Sequence, residues 1–255
     1  MIGLGDGFLS LIKTRGVILK TQDYKENDKL LWMYTENLGK VSAIAKGAKK
    51  GNSKLSASTL VFCFGDYVLY KGRSMYTINE GYVIHSFQEF IRDLETITYC
   101  SYINELIDIS SIEEEKNFNL FKDLITMYYL IKNKVGDIEV LIRAFEIKML
   151  YNTGYSLELE HCVQCGESIK ISNYVDLSNF GCICTKCNKQ NCIKISNSTY
   201  NILRYMIHFP LEKIYRLNLD KNSKKELNLL MQSFILEVYN RKPKSLEMFN
   251  YINKE

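Results

Sequence analysis

Six of the chain's eight cysteines fall between His161 and Cys192, and no other stretch restricts the fold so tightly. Two Cys-x-x-Cys pairs, Cys162 with Cys165 and Cys184 with Cys187, stand eighteen residues apart. A Cys-x-x-Cys turn aims two thiolates at one point, and two such turns supply the tetrahedral sulfur cage that zinc prefers. Gly166 follows the first pair and Gly181 precedes the second, where knuckle turns call for positive φ. Paired disulfides are the competing reading, disfavoured in a chain without an export signal. A thioredoxin-like redox motif needs one pair inside a βαβ pattern, which is missing here. Cys182 and Cys192 flank the second pair, and Cys182-Ile-Cys184 offers a rival register. The matching two-residue spacing selects Cys184 and Cys187. His161 adjoins Cys162, and sequence neighbours seldom both reach one metal. Four thiolates leave no open coordination position, so the expected zinc, one ion, is structural. Its binding, about 10–16 kcal/mol in comparable peptides, suffices to fold a loop that lacks its own core.

The 255 residues suit two or three small units, and 46% hydrophobic with 24% charged residues is a globular composition. No apolar run reaches the ~18–20 residues of a membrane span. The opening MIGLGDGFLSLI lacks the basic start and cleavage site of a signal peptide, so residues 1–13 read as a frayed extension and the protein as cytoplasmic. The net charge of +4 hides a pattern: +5 over residues 1–80, −7 over 81–160 and +6 over 161–255. A basic head and tail around an acidic middle suggest modules with polyanion-facing surfaces.

Residues 14–84 alternate in the manner of strands, predicted at 15–21, 29–35, 41–46, 60–70 and 75–84. Five short strands in about seventy residues favour an OB-type β-barrel, with an SH3-like barrel as the alternative. Between the third and fourth strands lies Lys46-Gly-Ala-Lys-Lys-Gly-Asn-Ser-Lys54. From Lys40 to Lys54 there are five lysines and no acid. The glycine spacing fails the nucleotide-loop motif. What remains is a flexible basic loop beside Tyr24, Trp32, Tyr34, Tyr67, Tyr70 and Tyr76, about half of them expected in the core. Lysines tracking phosphates and rings stacking on bases is how small barrels hold single strands.

From Phe87 the period changes to 3.6. Phe87, Phe90, Ile91 and Leu94 form one helical stripe, which Tyr99, Ile103 and Leu106 continue with some drift, and Phe121 to Val135 form a second helix. A third, capped by Asp137, is apolar on two faces and so central to a bundle. Two further helices, over 199–209 and 224–241, follow the cysteines, the last with a capping box of Ser223 and Glu226. The fold class is therefore α+β and multidomain. A barrel (1–84) precedes a helical domain (85–160 and 194–255) carrying an inserted zinc knuckle (161–193). The three histidines are scattered, and no nucleophile elbow, dinucleotide fingerprint or paired carboxylates appear, so no enzyme is predicted.

These features in this order resemble the RecO family of bacterial recombination and repair mediators. The resemblance is carried by Thr14-Arg-Gly-Val-Ile-Leu-Lys20, Glu26-Asn-Asp-Lys-Leu-Leu31, Thr35-Glu-Asn-Leu-Gly-Lys40, Ala45-Lys-Gly-Ala-Lys49, Phe145-Glu-Ile-Lys-Met-Leu150, Gly154-Tyr155 and a closing Arg241-Lys-Pro-Lys-Ser-Leu246. It implies an N-terminal OB-fold, a helical domain and a zinc knuckle. It also implies binding of single- and double-stranded DNA and annealing of complementary strands. The implied partners are RecR and the acidic C-terminal tail of the single-stranded DNA-binding protein, with RecA loaded indirectly onto coated strands. The family's basic barrel residues map onto Arg15, Lys20, Lys46, Lys49, Lys50, Lys54 and Arg73, in a cytoplasmic, nucleoid-associated protein. One departure is Phe180-Gly181-Cys182, where the family often has Gly-Gly. A zinc-ribbon transcription or scaffold protein, and a nuclease or ligase accessory, are the rival readings.

Overall fold

The structure, a computed structural model, describes residues 11–252 and, among them, all side chains but those of Asn250 and Ile252. The extension read at 1–13 therefore lies mostly outside the described residues; its last three positions open the first strand. Strands β1 (Leu11–Tyr24), β2 (Asp28–Thr35), β3 (Gly39–Ala45), β4 (Phe64–Lys71) and β5 (Tyr76–His85) close into a barrel of order β1-β2-β3-β5-β4. The alternation that marks the strands in sequence is visible in β3, whose residues are buried and half-buried in strict turn. The inward set packs Ile18, Leu31, Met33, Val41, Ala43, Ala45, Cys63, Tyr67, Leu69, Tyr76 and Ile78 into one core. β3 meets β5 in parallel over only Ala43–Ile44, and the other pairings are antiparallel, as in an OB-type barrel.

Three expectations need correction here. Leu60–Cys63 precede β4 as turn, with Ile18 bonding on both sides of it (its N–H to Cys63 O, its carbonyl from Phe62 N–H), so the fourth strand begins at Phe64. The barrel body does not stop at residue 84. It takes in residues up to Leu94 and a second segment, Ser111–Phe121. Phe87 precedes and Phe90 lies in a 3₁₀ turn (Gln88–Arg92), the two rings stacked 5.2 Å apart, with Phe90 edge-on to Phe62; Ile91 and Leu94 are exposed, so of the predicted stripe only Tyr99, Ile103 and Leu106 are buried on a helix. Phe121 packs 6.2 Å from Tyr34 and 6.3 Å from Phe64. At the β2–β3 hairpin Gly39 has φ +64, and a Cβ there would sit 1.9 Å from the Glu115 carbonyl oxygen. The returning segment is thus seated on a turn that only glycine permits.

The second unit comprises residues 95–110 and 122–255. Its helices are α1 (Leu94–Ser110), α2 (Phe118–Lys132), α3 (Ile138–Asn152), α4 (Asn197–His208), α5 (Leu211–Ile214), α6 (Lys221–Tyr239) and α7 (Leu246–Ile252); the first turn of α2 belongs to the barrel body. Asp137 caps α3 by accepting from the N–H groups of Glu139 and Val140, and α3 is buried on nearly all sides. Its buried Glu146 is gripped by Arg143 at 3.0 Å and by the Tyr102 hydroxyl at 2.6 Å, while Arg143 also donates to Asn228. The capping box predicted for α6 is replaced by another device. Asp220 is the N-cap, and Glu226 reaches across to accept from Ser196 and Thr199 at the start of α4. α7 follows Ser245, whose N–H and hydroxyl both donate to Glu105; Phe249 then stacks on Tyr102 at 4.7 Å.

Candidate metal centre and basic face

The cysteine segment folds around a three-stranded sheet of β6 (Tyr174–Asp176), β7 (Gly181–Cys182) and β8 (Cys192–Lys194), ordered β7-β6-β8. It is anchored to its own unit by the Tyr200 hydroxyl, which donates to Leu159 O at 2.7 Å, and by Phe180 stacked on Phe234. Phe180 takes a left-handed backbone (φ 50) where glycine would be unstrained, and its ring burial on Phe234 offsets a cost of about 1–2 kcal/mol. Gly166 has the expected positive φ, but Gly181 does not. Gly181 is needed for space, since a Cβ would meet Val163 Cγ1 at 2.5 Å and Glu158 O at 2.6 Å.

Cys162, Cys165, Cys184 and Cys187 come together, with all four sulfurs within 4.8 Å of one another. The Cys162–Cys187 and Cys165–Cys184 pairs stand 3.7 and 3.8 Å apart. A tetrahedron with Zn–S of ~2.3 Å has edges of about 3.8 Å, so the sulfur positions are compatible with zinc. The donor chemistry agrees. Burial raises the Cys162 thiol, but N–H groups of Cys184, Gln164 and Cys165 outweigh it and lower it to about 6; the Cys184 N–H lies 3.3 Å from its sulfur. Cys187 is pushed up to about 12 by its contacts with Cys165 and Cys184 and by burial. Four thiolates at this spacing need a compensating cation. Cys182 faces inward from β7 and Cys192 contacts Gln190 O; neither joins the cluster. His161 is turned toward Glu158, 3.7 Å away.

On the barrel, the seven predicted basic residues do not share one patch. By register, Lys20 lies opposite Trp32 and Trp32 opposite Ser42, so Lys20 stands three residues short of the Ala45 end from which the lysine segment leaves β3. Arg15 lies opposite Asp66, toward the β2–β3 turn, and Arg73 sits in the β4–β5 turn at that same end. Arg15 is also committed to Glu36 by two bonds of 2.8 and 2.5 Å, which hold the Glu36 carboxyl below its usual range. Lys46, Lys49, Lys50 and Lys54 are exposed. Their segment is a succession of turns tied to the β1–β2 hairpin, Gly47 N–H donating to Asp28 and Lys49 N–H to Asn27 O. Lys49 pairs with Asp23 at 2.7 Å, whereas no partner of Lys46, Lys50 or Lys54 is found among the described residues. Lys20 rides over the half-buried Trp32 ring at 4.8 Å. Tyr34, Tyr67 and Tyr76 are core; Tyr24, Trp32 and Tyr70 are at least partly exposed. Lys25 and Lys29 on the adjoining hairpin extend this basic end; each stands singly among Asp23, Glu26 and Asp28, so no run of charge marks them in the sequence.

A second feature lies in the helical unit: a surface cleft lined by Val140, Arg143, Leu219, Lys225, Asn228 and Phe249. Lys224 at its edge is held by Asp137 and Glu139, at 2.5 and 2.8 Å, leaving exposed Lys225 as its open cation. No helix among the described residues is long and apolar enough to cross a membrane.

The family pattern described as "Recombination protein O N terminal" matches residues 9–87, and "Recombination protein O C terminal" matches residues 91–247. A DNA repair protein RecO of Clostridium acetobutylicum is 49% identical over 97% of this chain and all of its own length. One from Clostridium perfringens strain 13 is 50% identical over 96% of the chain and all of its own. At greater distance, that of Acetivibrio thermocellus is 29% identical over 90% of the chain and 92% of its own.

Proposed function

Since the chain belongs to the RecO family of DNA repair proteins, we propose that it acts as a recombination mediator. It binds single- and double-stranded DNA, anneals complementary strands and, with RecR, helps load RecA onto strands coated by single-stranded DNA-binding protein. The observation that carries this reading is the basic end of the barrel. Lys46, Lys50 and Lys54, without partners among the described residues, follow directly on β3, where Trp32, with Lys20 over its ring, stands opposite Ser42, four residues before Lys46. Annealing makes and breaks no covalent bond, so the protein is read as no enzyme. Lysines screen the repulsion of two backbones while leaving base edges free to pair, and a half-exposed ring offers one stacking platform. Arg15 and Arg73 contribute at most a secondary contact from the opposite end, Arg15 already sharing its charge with Glu36.

Cys162, Cys165, Cys184 and Cys187 hold one structural zinc ion in this reading, with no coordination position open to substrate. The acidic tail of the single-stranded DNA-binding protein fits the cleft beside Lys225 and Phe249, where a cation borders an apolar floor. The activity places the protein in the cytoplasm, on the nucleoid. A strand-annealing assay tests the function, using two complementary labelled strands and the K46E/K49E/K50E/K54E protein. Wild type accelerates pairing without shortening either strand and the quadruple mutant does not. Equal annealing by both would remove the loop from the account, no effect of wild type would favour a zinc-ribbon scaffold, and metal-dependent shortening a nuclease.

A further inference from the structure

The two cysteine turns are joined by more than the sulfurs. Gln164 lies between the first pair of cysteines, yet its side-chain amide points away from the cage. Its Nε2 donates to Asp176 Oδ2 at 3.1 Å on β6 and to Asn188 O at 2.9 Å, one residue beyond Cys187. One amide therefore ties the first knuckle both to the central strand and to the second knuckle. Asp176, 3% exposed, is in turn fixed from its own turn by the Ser178 and Asn179 N–H groups at 3.0 and 3.1 Å and by Asn179 Nδ2 at 3.2 Å. A nearly buried carboxylate with four donors cannot swing to the metal, and it lies outside the sulfur cluster. The second bridge between the knuckles, Lys186 to Glu167 at 3.0 Å, differs in kind. Both side chains are largely in water, where pairing is screened and adds little rigidity.

We infer that Gln164 and Asp176 are the positioning residues of the metal centre: they hold the two Cys-x-x-Cys turns at the separation zinc needs, so the cage exists before the metal enters and resists opening afterwards. This rests on the zinc reading above. Outer partners of this kind set how tightly ligands hold a metal, and their loss typically costs 10- to 100-fold in affinity.

The test uses full-length protein as purified: wild type, Q164A, D176N and, as control, E167Q. Zinc content is measured first, then the rate of zinc transfer to a chromophoric chelator, and finally the absorption of the cobalt-substituted proteins. Wild type and all three mutants are expected to carry one zinc. Release from Q164A is expected to be about 10- to 100-fold faster, with D176N between, because Asn keeps a carbonyl for Gln164 but turns donors toward Ser178 and Asn179. E167Q should stay within about twofold of wild type, since its pair is solvent-screened. The cobalt bands of Q164A should shift or broaden, which a loss of bulk stability alone would not produce. Should Q164A fail to fold, D176N, near-isosteric, decides the matter by the same rate and spectrum. Zinc-loaded wild type and Q164A releasing metal equally fast, with identical cobalt spectra, would overturn the inference and leave the zinc reading intact. Wild type without zinc would overturn both.

Discussion

Replacing Lys46, Lys50 and Lys54 together by Ala removes the three exposed lysines of the β3–β4 segment for which no partner is found among the described residues, and the number of phosphates they can neutralise sets the size of the effect. Every phosphate that a lysine ceases to neutralise on a single strand flattens the log–log dependence of affinity on salt by ~0.7, so three such phosphates flatten it by about 2. Between about 50 and 200 mM salt, the fall in affinity is therefore roughly 20-fold larger for wild type than for the triple-alanine protein. Lys49 behaves differently, because reaching a phosphate means leaving Asp23 at 2.7 Å. A surface pair of this kind is worth ~0–1 kcal/mol, so Asp23→Asn should raise affinity by at most about fivefold and steepen the slope slightly. The assay is fluorescence anisotropy with a labelled single-stranded oligonucleotide, titrated at several salt concentrations with circular dichroism as the folding control. Parallel lines for wild type and the triple-alanine protein would refute the assignment of the β3–β4 segment as the phosphate track.

Two further outcomes follow from buried polar groups and from the cage. Burial pushes the Asp123 carboxyl up to about 6, against a bond from Asn152 and the pull of Lys148 and Lys122. Its native-state proton affinity exceeds that of the unfolded chain, so its contribution is favourable below about pH 4 and is lost as pH rises through 6, on the order of 3 kcal/mol in all. Asp123→Asn is therefore expected to stabilise the protein above pH 7 and to flatten its stability between pH 4 and 6, as read by chemical denaturation; an unchanged pH profile would contradict the burial argument. Cys184→Ser, or chelation of wild type, is expected to lower helical content and the melting temperature more than salt-dependent DNA affinity, because the sulfurs lie in a different folding unit from the lysines. Loss of DNA binding with unchanged helicity would contradict it.

β3 was legible because one-sided burial writes a strict period of two into it, and α3 because two apolar faces identify a central helix. The clustering of the four sulfurs was legible because a Cys-x-x-Cys turn aims its two thiols at one point. Other elements carry no such imprint. β6, β7 and β8 have three, two and three residues, too short to display a period. The return of residues 111–121 to the barrel carries no local pattern, because what ties it there, such as Glu114 with Lys71 at 2.5 Å, is a pairing far apart in sequence. Pairing partners distant in sequence were equally hidden. Arg15, mapped as a DNA contact, is bonded to Glu36, twenty-one residues on, a pairing that no local pattern announces. Ser223 and Glu226 satisfied the capping-box spacing, yet Asp220 suits the cap as well, and only the neighbouring α4 decides where Glu226 turns.

The crossing of the chain out of the barrel and back has a consequence for how such proteins can be rearranged in evolution. A barrel that ends with its fifth strand could be exchanged as a cassette, joined to any partner through a linker. This one cannot, because Phe121 supplies aromatic contacts to Tyr34 and Phe64 from beyond a 17-residue helix that belongs to the other unit. Any shuffling event that cuts near residue 94 strips the barrel of that ring and of the segment seated on Gly39. A gene fragment that ends near residue 94 therefore encodes an incomplete barrel.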